Sequence, residues 1–386
     1  MRRHLFILLT LLIFFTAVIE ACTKDDPNTT VSPVVSTPTQ PVVVSNPITN
    51  DTAALGQALF WDPILSGDKD VACATCHHPT NAYTDGLDLS LGAHAVGYGQ
   101  NRRFLKPNDV VLTKRNSPTL LNAAFNGMDG NGNYVSLTAP MFWDSRAQSL
   151  ENQVIGPLTT FEEMRGHAYS EAVTLDSIVA RLAKITEYKQ LFQAAFGNSQ
   201  AITAANIGKA IATFERTLTA MNSPYDRYKK GDKTALTDQE IQGMRLFNDE
   251  GCPICHSGPM FSDYQLHVMS VPDNSQLTSS DAGAGGTYAF RTPSLRNVGL
   301  TAPYMHNGFF QSLKQVMKFY DDIGEPISQN PHVPVQRLDT KIQRIALGDR
   351  EQEQVIAFLN ALTDSGFDKT IPARVPSGLN PGGNIR

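Results

Sequence analysis

The stretch Val71-Ala72-Cys73-Ala74-Thr75-Cys76-His77-His78-Pro79 decides how the rest of the chain is read. Within it Cys73, Cys76 and His77 spell Cys-x-x-Cys-His, the attachment signature of a c-type haem. The chemistry sets the spacing: two thiols form thioethers with the two haem vinyl groups, and the adjacent histidine offers its imidazole to the iron. The pattern returns in Gly251-Cys252-Pro253-Ile254-Cys255-His256. One such pentapeptide can be half of a zinc site, but no further Cys pair is present to complete one. Two covalently bound haem c groups are therefore expected.

A length of 386 residues suggests two domains, each with room for a core. The formal charge of −5, without any basic cluster, excludes a nucleic-acid footprint. Of the five cysteines, four lie in the haem motifs and the fifth is Cys22, which leaves no pair for a disulfide. Arg2 and Arg3 followed by the apolar run Leu5–Ile19 read as a signal segment, too short to span a membrane. Ile19-Glu20-Ala21-Cys22 resembles a bacterial lipobox, with Glu20 an unusual member. Residues 1–22 are thus expected to be a signal peptide, with Cys22 carrying a lipid anchor on the periplasmic side of a bacterial membrane. The alternative is plain cleavage near Ala21. Residues 23–50, punctuated by Pro27, Pro33, Pro38, Pro41 and Pro47, read as a tether.

Beyond the tether, helical patterning dominates. Thr52–Phe60 reads as an amphipathic turn or two. In Ile202–Leu218, Ile207, Ile211, Phe214 and Leu218 form one apolar stripe. Thr237 with Glu240, and Ser312 with Gln315, are capping boxes that start helices, and the last helix is expected at Arg350–Leu362. Residues 82–133 are loop-rich. Within them Asp129–Asn133 looks like a calcium loop, but it lacks the glycine and glutamate such a loop needs, so a turn is expected. Strand alternation is scarce. The fold class expected is mainly α, with two cytochrome c-like haem domains and long irregular loops. Their bounds are 51–222 and 238–370, joined through Ser223–Thr237 and trailed by a tail, 371–386.

Further stretches carry a family resemblance from Thr52 to Phe367. They are Arg115-Asn116-Ser117-Pro118-Thr119-Leu120, Phe142-Trp143-Asp144-Ser145-Arg146-Ala147, Arg291-Thr292-Pro293-Ser294-Leu295-Arg296-Asn297 and Ala302-Pro303-Tyr304-Met305-His306-Asn307-Gly308. With the two haem motifs, their order resembles the bacterial di-haem cytochrome c peroxidases, including MauG-like members. The resemblance implies that the haem held by His77 is peroxidatic and that the haem held by His256 transfers or stores electrons. It puts Trp143 between the haems, Gln153 and Pro157 in the distal pocket, and the acid–base carboxyl at Glu163, with Glu162 the neighbour in register. The family's distal histidine position falls on Ala93, which implies an open N-terminal iron; His94 is the alternative ligand. At the sixth-ligand position of the second haem the resemblance gives Tyr320, as in MauG-like members, where the peroxidases carry Met. Met317, one helical turn away, competes with it. A calcium ion held by oxygens of Asn116, Thr301 and Pro303 is also implied.

The leading reading is a peroxidase that reduces hydrogen peroxide to water with electrons from a cytochrome c or similar donor. The resemblance allows a homodimer, as is common in the family. The second reading is a MauG-like enzyme that uses peroxide to reach a high-valent di-haem state and oxidises a protein side chain. The third, a non-catalytic di-haem electron-transfer protein, needs strong ligands on both irons. The sequence offers a good sixth ligand to one. His267 and His332 read as ordinary surface or core residues.

Overall fold

Eleven α-helices and three short β-ribbons make up the described part of the chain. In order the helices are α1 (Asn50–Trp61), α2 (Cys73–Cys76), α3 (Leu150–Gln153), α4 (Ile155–Thr159), α5 (Glu171–Leu182), α6 (Thr186–Phe196), α7 (Ala204–Glu215), α8 (Pro224–Lys229), α9 (Asp238–Asp249), α10 (Leu313–Ile323) and α11 (Asp349–Ala361). The strands pair as antiparallel ribbons: β1 (Ala95–Val96) with β2 (Arg103–Phe104), β3 (Pro140–Met141) with β4 (Ala147–Gln148), and β5 (Leu266–Val268) with β6 (Ala289–Arg291). The structure, a computed structural model, describes residues 50–198, 200–323, 327–341 and 347–385. The expected signal peptide (1–22), the expected lipid-anchor residue Cys22 and the expected tether up to residue 49 lie outside them. No helix among the described residues is long and apolar enough to cross a membrane.

The two largest apolar cores among the described residues each form on a packed helix pair. In the first, Ile207, Ile211 and Phe214 of α7 pack against Leu55, Leu59 and Phe60 of α1, all buried. In the second, Val355, Phe358 and Leu359 of α11 pack with Phe247 of α9 and with Leu313 and Met317 of α10. Each such side chain stabilises the fold by about 1.5–3 kcal/mol on full burial. Both pairs are tight at a glycine: a Cβ on Gly56 would lie 2.0 Å from the Ala210 carbonyl oxygen, and one on Gly243 1.8 Å from that of Gln354. Only glycine lets the backbones approach so closely.

The expected helices form with small shifts at their ends. The Thr237–Glu240 box caps α9, with the Glu240 amide donating to Thr237 Oγ1 at 3.3 Å. At the start of α10 the Gln315 amide donates to Ser312 Oγ at 3.3 Å. Asp129 accepts from the amides of Asn131 and Asn133, both at 2.9 Å, so that stretch is a turn. The connection Ser223–Thr237 contains a helix of its own, α8, capped by Ser223 and Asp226.

The end of the chain, expected as a tail, instead threads back onto the first core. Phe367 and Val375 are buried in it. The Gly382 amide donates to the Trp61 carbonyl at 2.7 Å, the Asn384 amide to that of Asp70 at 2.8 Å, and Thr75 Oγ1 to the Gly382 carbonyl at 2.8 Å. The far end of the chain thus braces the turn that carries Cys73 and Cys76.

Candidate active site

The first haem motif is a single helical turn. The Ala72 amide donates to Thr75 Oγ1 at 2.9 Å, and the His77 amide donates to the Cys73 carbonyl at 3.0 Å. His77 Nδ1 lies 3.1 Å from the Tyr83 carbonyl oxygen. A proton on Nδ1 donates there, which leaves Nε2 bare as a metal ligand. Burial lowers the His77 pKa to about 4, so the imidazole is neutral at pH 7, the form that binds iron. The second motif repeats the device: His256 Nδ1 lies 3.1 Å from the Phe261 carbonyl oxygen, and burial lowers its pKa as well. Burial pushes the Cys76 thiol up to about 12 and that of Cys252 to about 11.

Cys73, Cys76 and His77 border a cavity of about 500 Å³; Cys252, Cys255 and His256 border a second, of about 230 Å³ with mostly apolar walls. Each cavity has two thiols and a bare imidazole in its lining, the donor set a covalently attached haem c requires. The residues present fit that group.

Gln153, Pro157, Glu162 and Glu163 border the first cavity together with His77. Gln153 ends α3, and Pro157 lies in α4. The two glutamates sit in a wide π-type turn, Phe161–Arg165, a distortion that recurs at functional sites. The Glu163 carboxyl has its pKa raised to about 7, mainly by burial, further by the negative Glu162, and against the pull of Arg146. The loop through Gly92 presses on this turn: a Cβ on Gly92 would lie 2.2 Å from the Glu162 carbonyl oxygen and 2.3 Å from that of Glu163. His94 points elsewhere. Its Nε2 meets Asp68 Oδ2 at 2.9 Å, and the residue does not border the cavity. The alternative of His94 as a ligand therefore has no support in the geometry.

Trp143 borders both cavities. It sits in the loop between β3 and β4, where Phe142 and Ser145 both adopt left-handed backbone (φ 65° and 56°). Its indole N–H donates to the Asn116 carbonyl at 2.9 Å, and its own carbonyl accepts from the Arg291 amide at 2.7 Å. Arg115 locks the surroundings, pairing with Asp144 at 2.7 Å and with Asp281 at 2.5 Å.

Both candidate sixth ligands, Tyr320 and Met317 on α10, border the second cavity. Burial raises the Tyr320 pKa, and the nearby Cys252 and Cys255 add to the shift. The three calcium candidates Asn116, Thr301 and Pro303 all border the first cavity. The Asn116 side-chain NH2 donates to the Leu87 carbonyl at 2.8 Å, an arrangement that leaves its side-chain oxygen for another partner.

Two residues stand out that no sequence signal marked. Glu215, at the end of α7, borders the first cavity. Burial pushes its pKa to about 8, opposed by Arg216 and reinforced by Glu151, and its Oε2 has no hydrogen-bond partner among the described residues. His267 is buried at the edge of the second cavity, clamped between Asp263 at 3.0 Å and Asp339 at 2.5 Å. A lone Glu at a helix end and a lone His in a strand carry no spacing that could have flagged them.

A helix-rich fold with two such cavities defines a class, that of c-type haem proteins. The chain matches the family described as di-haem cytochrome c peroxidase over residues 50–234. It is 33% identical over 348 residues to the methylamine utilization protein MauG of Methylophilus methylotrophus, covering 87% of this chain and 89% of that protein. It is 30% identical over 348 residues to the cytochrome c551 peroxidase of Nitrosomonas europaea, covering 88% of each. Among solved structures, a MauG-like protein associated with microbial copper homeostasis superposes with a TM-score of 0.68 at 28% identity, covering 85% of this chain and 93% of that one. The diheme peroxidase BthA of Burkholderia thailandensis shares the fold at a TM-score of 0.66 and 23% identity, covering 86% and 90%. The chain belongs to the di-haem cytochrome c peroxidase family, a family of peroxidase oxidoreductases that includes MauG-like members.

Proposed function

We propose that this protein reduces hydrogen peroxide to water at the cavity of His77, with electrons from a reduced cytochrome c or similar small redox protein entering through the cavity of His256. The observation that carries this reading is Glu163, a carboxyl with its pKa near 7 on the same cavity as His77 and both thiols. Haem c groups, which Cys73, Cys76 and His77 would hold on the first side and Cys252, Cys255 and His256 on the second, would supply the iron for peroxide chemistry and for electron transfer. The overall step is balanced as one peroxide, two electrons and two protons giving two waters. Glu163 accepts the proton of the oxygen nearer His77 and returns it to the leaving oxygen, and a pKa near the working pH lets it do both. Glu163 is preferred to Glu162 on that ground. Gln153, which borders the same cavity, offers an amide to hydrogen-bond the peroxide. Trp143, one of several residues that border both cavities, carries electrons between them in this reading.

The division of labour corresponds to two cytochrome c-like domains, 51–222 and 238–370; the two helix-pair cores support it, except that Phe367 packs in the first core. Tyr320 is the sixth ligand of the second haem in this reading, favoured over Met317 because the residues around it, Val316–Asp321, resemble those of MauG-like members; both side chains border the second cavity. That choice also supports a second reading. A phenolate lowers a haem potential where a thioether raises it, which favours retaining oxidising equivalents and spending them on a protein side chain, as the resemblance to MauG-like members implies. A calcium ion on oxygens of Asn116, Thr301 and Pro303, export with a lipid anchor at Cys22, a place on the periplasmic side and a homodimer complete the proposal.

Steady-state oxidation of reduced cytochrome c by the holoenzyme tests it. Rapid oxidation that depends on peroxide, lost in a Glu163→Gln variant that retains both haems, is the expected result. Negligible turnover with long-lived oxidised haems overturns the first reading in favour of the second.

A further inference from the structure

Outside both cavities, two histidines and two aspartates from four separate segments meet at one point of the surface. His94 lies just past Gly92 in the same loop, His167 ends the turn that carries Glu163, and Asp68 and Asp109 come from two further loops. His94 Nε2 lies 2.9 Å from Asp68 Oδ2, and His167 Nε2 lies 2.9 Å from Asp109 Oδ1. The His167 amide donates to the same Asp68 oxygen at 3.3 Å. One ligand atom from each of His94, His167 and Asp109 falls within 4.8 Å of the others.

We propose that this cluster is a binding site for a divalent transition ion of the zinc type, with His94, His167 and Asp109 as ligands and Asp68 or water in the fourth position. Two imidazoles and a carboxylate with one open position are the donor set that zinc takes at three-ligand sites. Bonds of about 2.0–2.1 Å in a tetrahedron put ligand atoms about 3.4 Å apart, so pairs as far apart as 4.8 Å must draw in by up to about 1.4 Å, while His167 Nε2 and Asp109 Oδ1, now 2.9 Å apart, must open slightly. They are free to do so, since the His167 and Asp109 side chains are 51% and 73% exposed. An exposed site also gives the ion its route of entry.

The backbone is shaped to bring these groups together. Gly166 is left-handed (φ 56°), and a Cβ there would lie 2.3 Å from Asp68 Oδ2 and 3.4 Å from His94 Nε2. Any other residue at 166 would wedge the carboxylate and the imidazole apart. His94 is itself left-handed (φ 64°), a conformation non-glycine residues rarely adopt. It is held there by its amide, which donates to Asp70 Oδ2 at 2.7 Å. Phe161 stands edge-on to the His167 ring, with centroids 4.9 Å apart, and fixes its plane. An ion at this point ties the Gly92 loop to the far end of the Glu163 turn from outside, and would stiffen the wall of the first cavity without entering it.

The test is equilibrium dialysis of the full-length holoenzyme against micromolar Zn2+, with metal counted by mass spectrometry beside the haem iron. The melting temperature is recorded with and without the ion. One zinc per chain and a raised melting temperature are expected for the wild type. A His332→Ala variant, which removes an exposed histidine elsewhere, is expected to behave the same. His94→Ala, His167→Ala and Asp109→Asn are each expected to weaken binding at least tenfold and to lose the thermal shift. The last two change exposed side chains, so loss of binding there cannot be ascribed to unfolding. Absence of zinc from the wild type, or full retention of it by any one of the three variants, overturns the proposal.

Discussion

Replacing Glu163 with Gln keeps the shape of the side chain and removes its capacity to exchange a proton. Proton transfer by a positioned group contributes about 10²–10⁴-fold to a rate, so the variant should lose that factor in kcat/KM for peroxide, about 2.7–5.4 kcal/mol of transition-state stabilisation. The pH profile gives a sharper signature. The carboxylate is the form that accepts the first proton, so wild-type kcat/KM should fall as the pH drops through about 7, where burial and Glu162 have set the group. Glu162 raises this pKa and Arg146 lowers it. Glu162→Gln should therefore move the acid limb to lower pH, Arg146→Ala should move it to higher pH, and Glu163→Gln should abolish it. The assay is the initial rate of peroxide-dependent cytochrome oxidation across the neutral range, with Soret absorbance as a check that both haems remain. A Gln variant within about threefold of wild type, far short of what general acid–base catalysis contributes, would refute the assignment. So would a limb that ignores both neighbours.

The packing gives three further expected outcomes. Gly92→Ala forces a Cβ into the carbonyls of Glu162 and Glu163, and should cost about 1–3 kcal/mol, as overpacking does, read as a lower melting temperature together with reduced peroxide turnover. Trp143→Phe keeps a ring at the junction of the cavities but deletes the hydrogen bond to the Asn116 carbonyl; rapid-mixing spectroscopy should show slower electron transfer between the haems with both still bound. A chain ending at Val375 loses the Gly382, Asn384 and Ser377 contacts to Trp61, Asp70 and Asp62, and should melt earlier in the half that holds Cys73 and Cys76, while the absorbance of the second haem persists.

Much of this molecule is legible in its sequence because the informative signals are local. The Cys73–His77 and Cys252–His256 motifs, the Thr237 and Ser312 caps, and the Ile207–Leu218 stripe each occupy a short window with fixed spacing. The candidates Trp143, Gln153 and Glu163 come from resemblance rather than spacing, and all three border the cavity of His77. Nonlocal features leave no such trace. The return of Gly382 and Asn384 to Trp61 and Asp70 joins opposite ends of the folded chain through backbone atoms, which no side-chain pattern announces. Strands as short as Pro140–Met141 and Ala147–Gln148 are below the length at which alternation can be seen. Glu215 reads as one more charge on an amphipathic helix, and only its burial beside the first cavity distinguishes it.

Low-temperature electron paramagnetic resonance of the oxidised protein distinguishes an open iron at His77 from one closed by Tyr320 at His256. Wild type, Tyr320→Phe and Met317→Leu should be compared, each with and without cyanide. A high-spin signal that cyanide converts is expected, together with a low-spin signal that changes in Tyr320→Phe and not in Met317→Leu. Two low-spin signals indifferent to cyanide and to Tyr320 would contradict that arrangement.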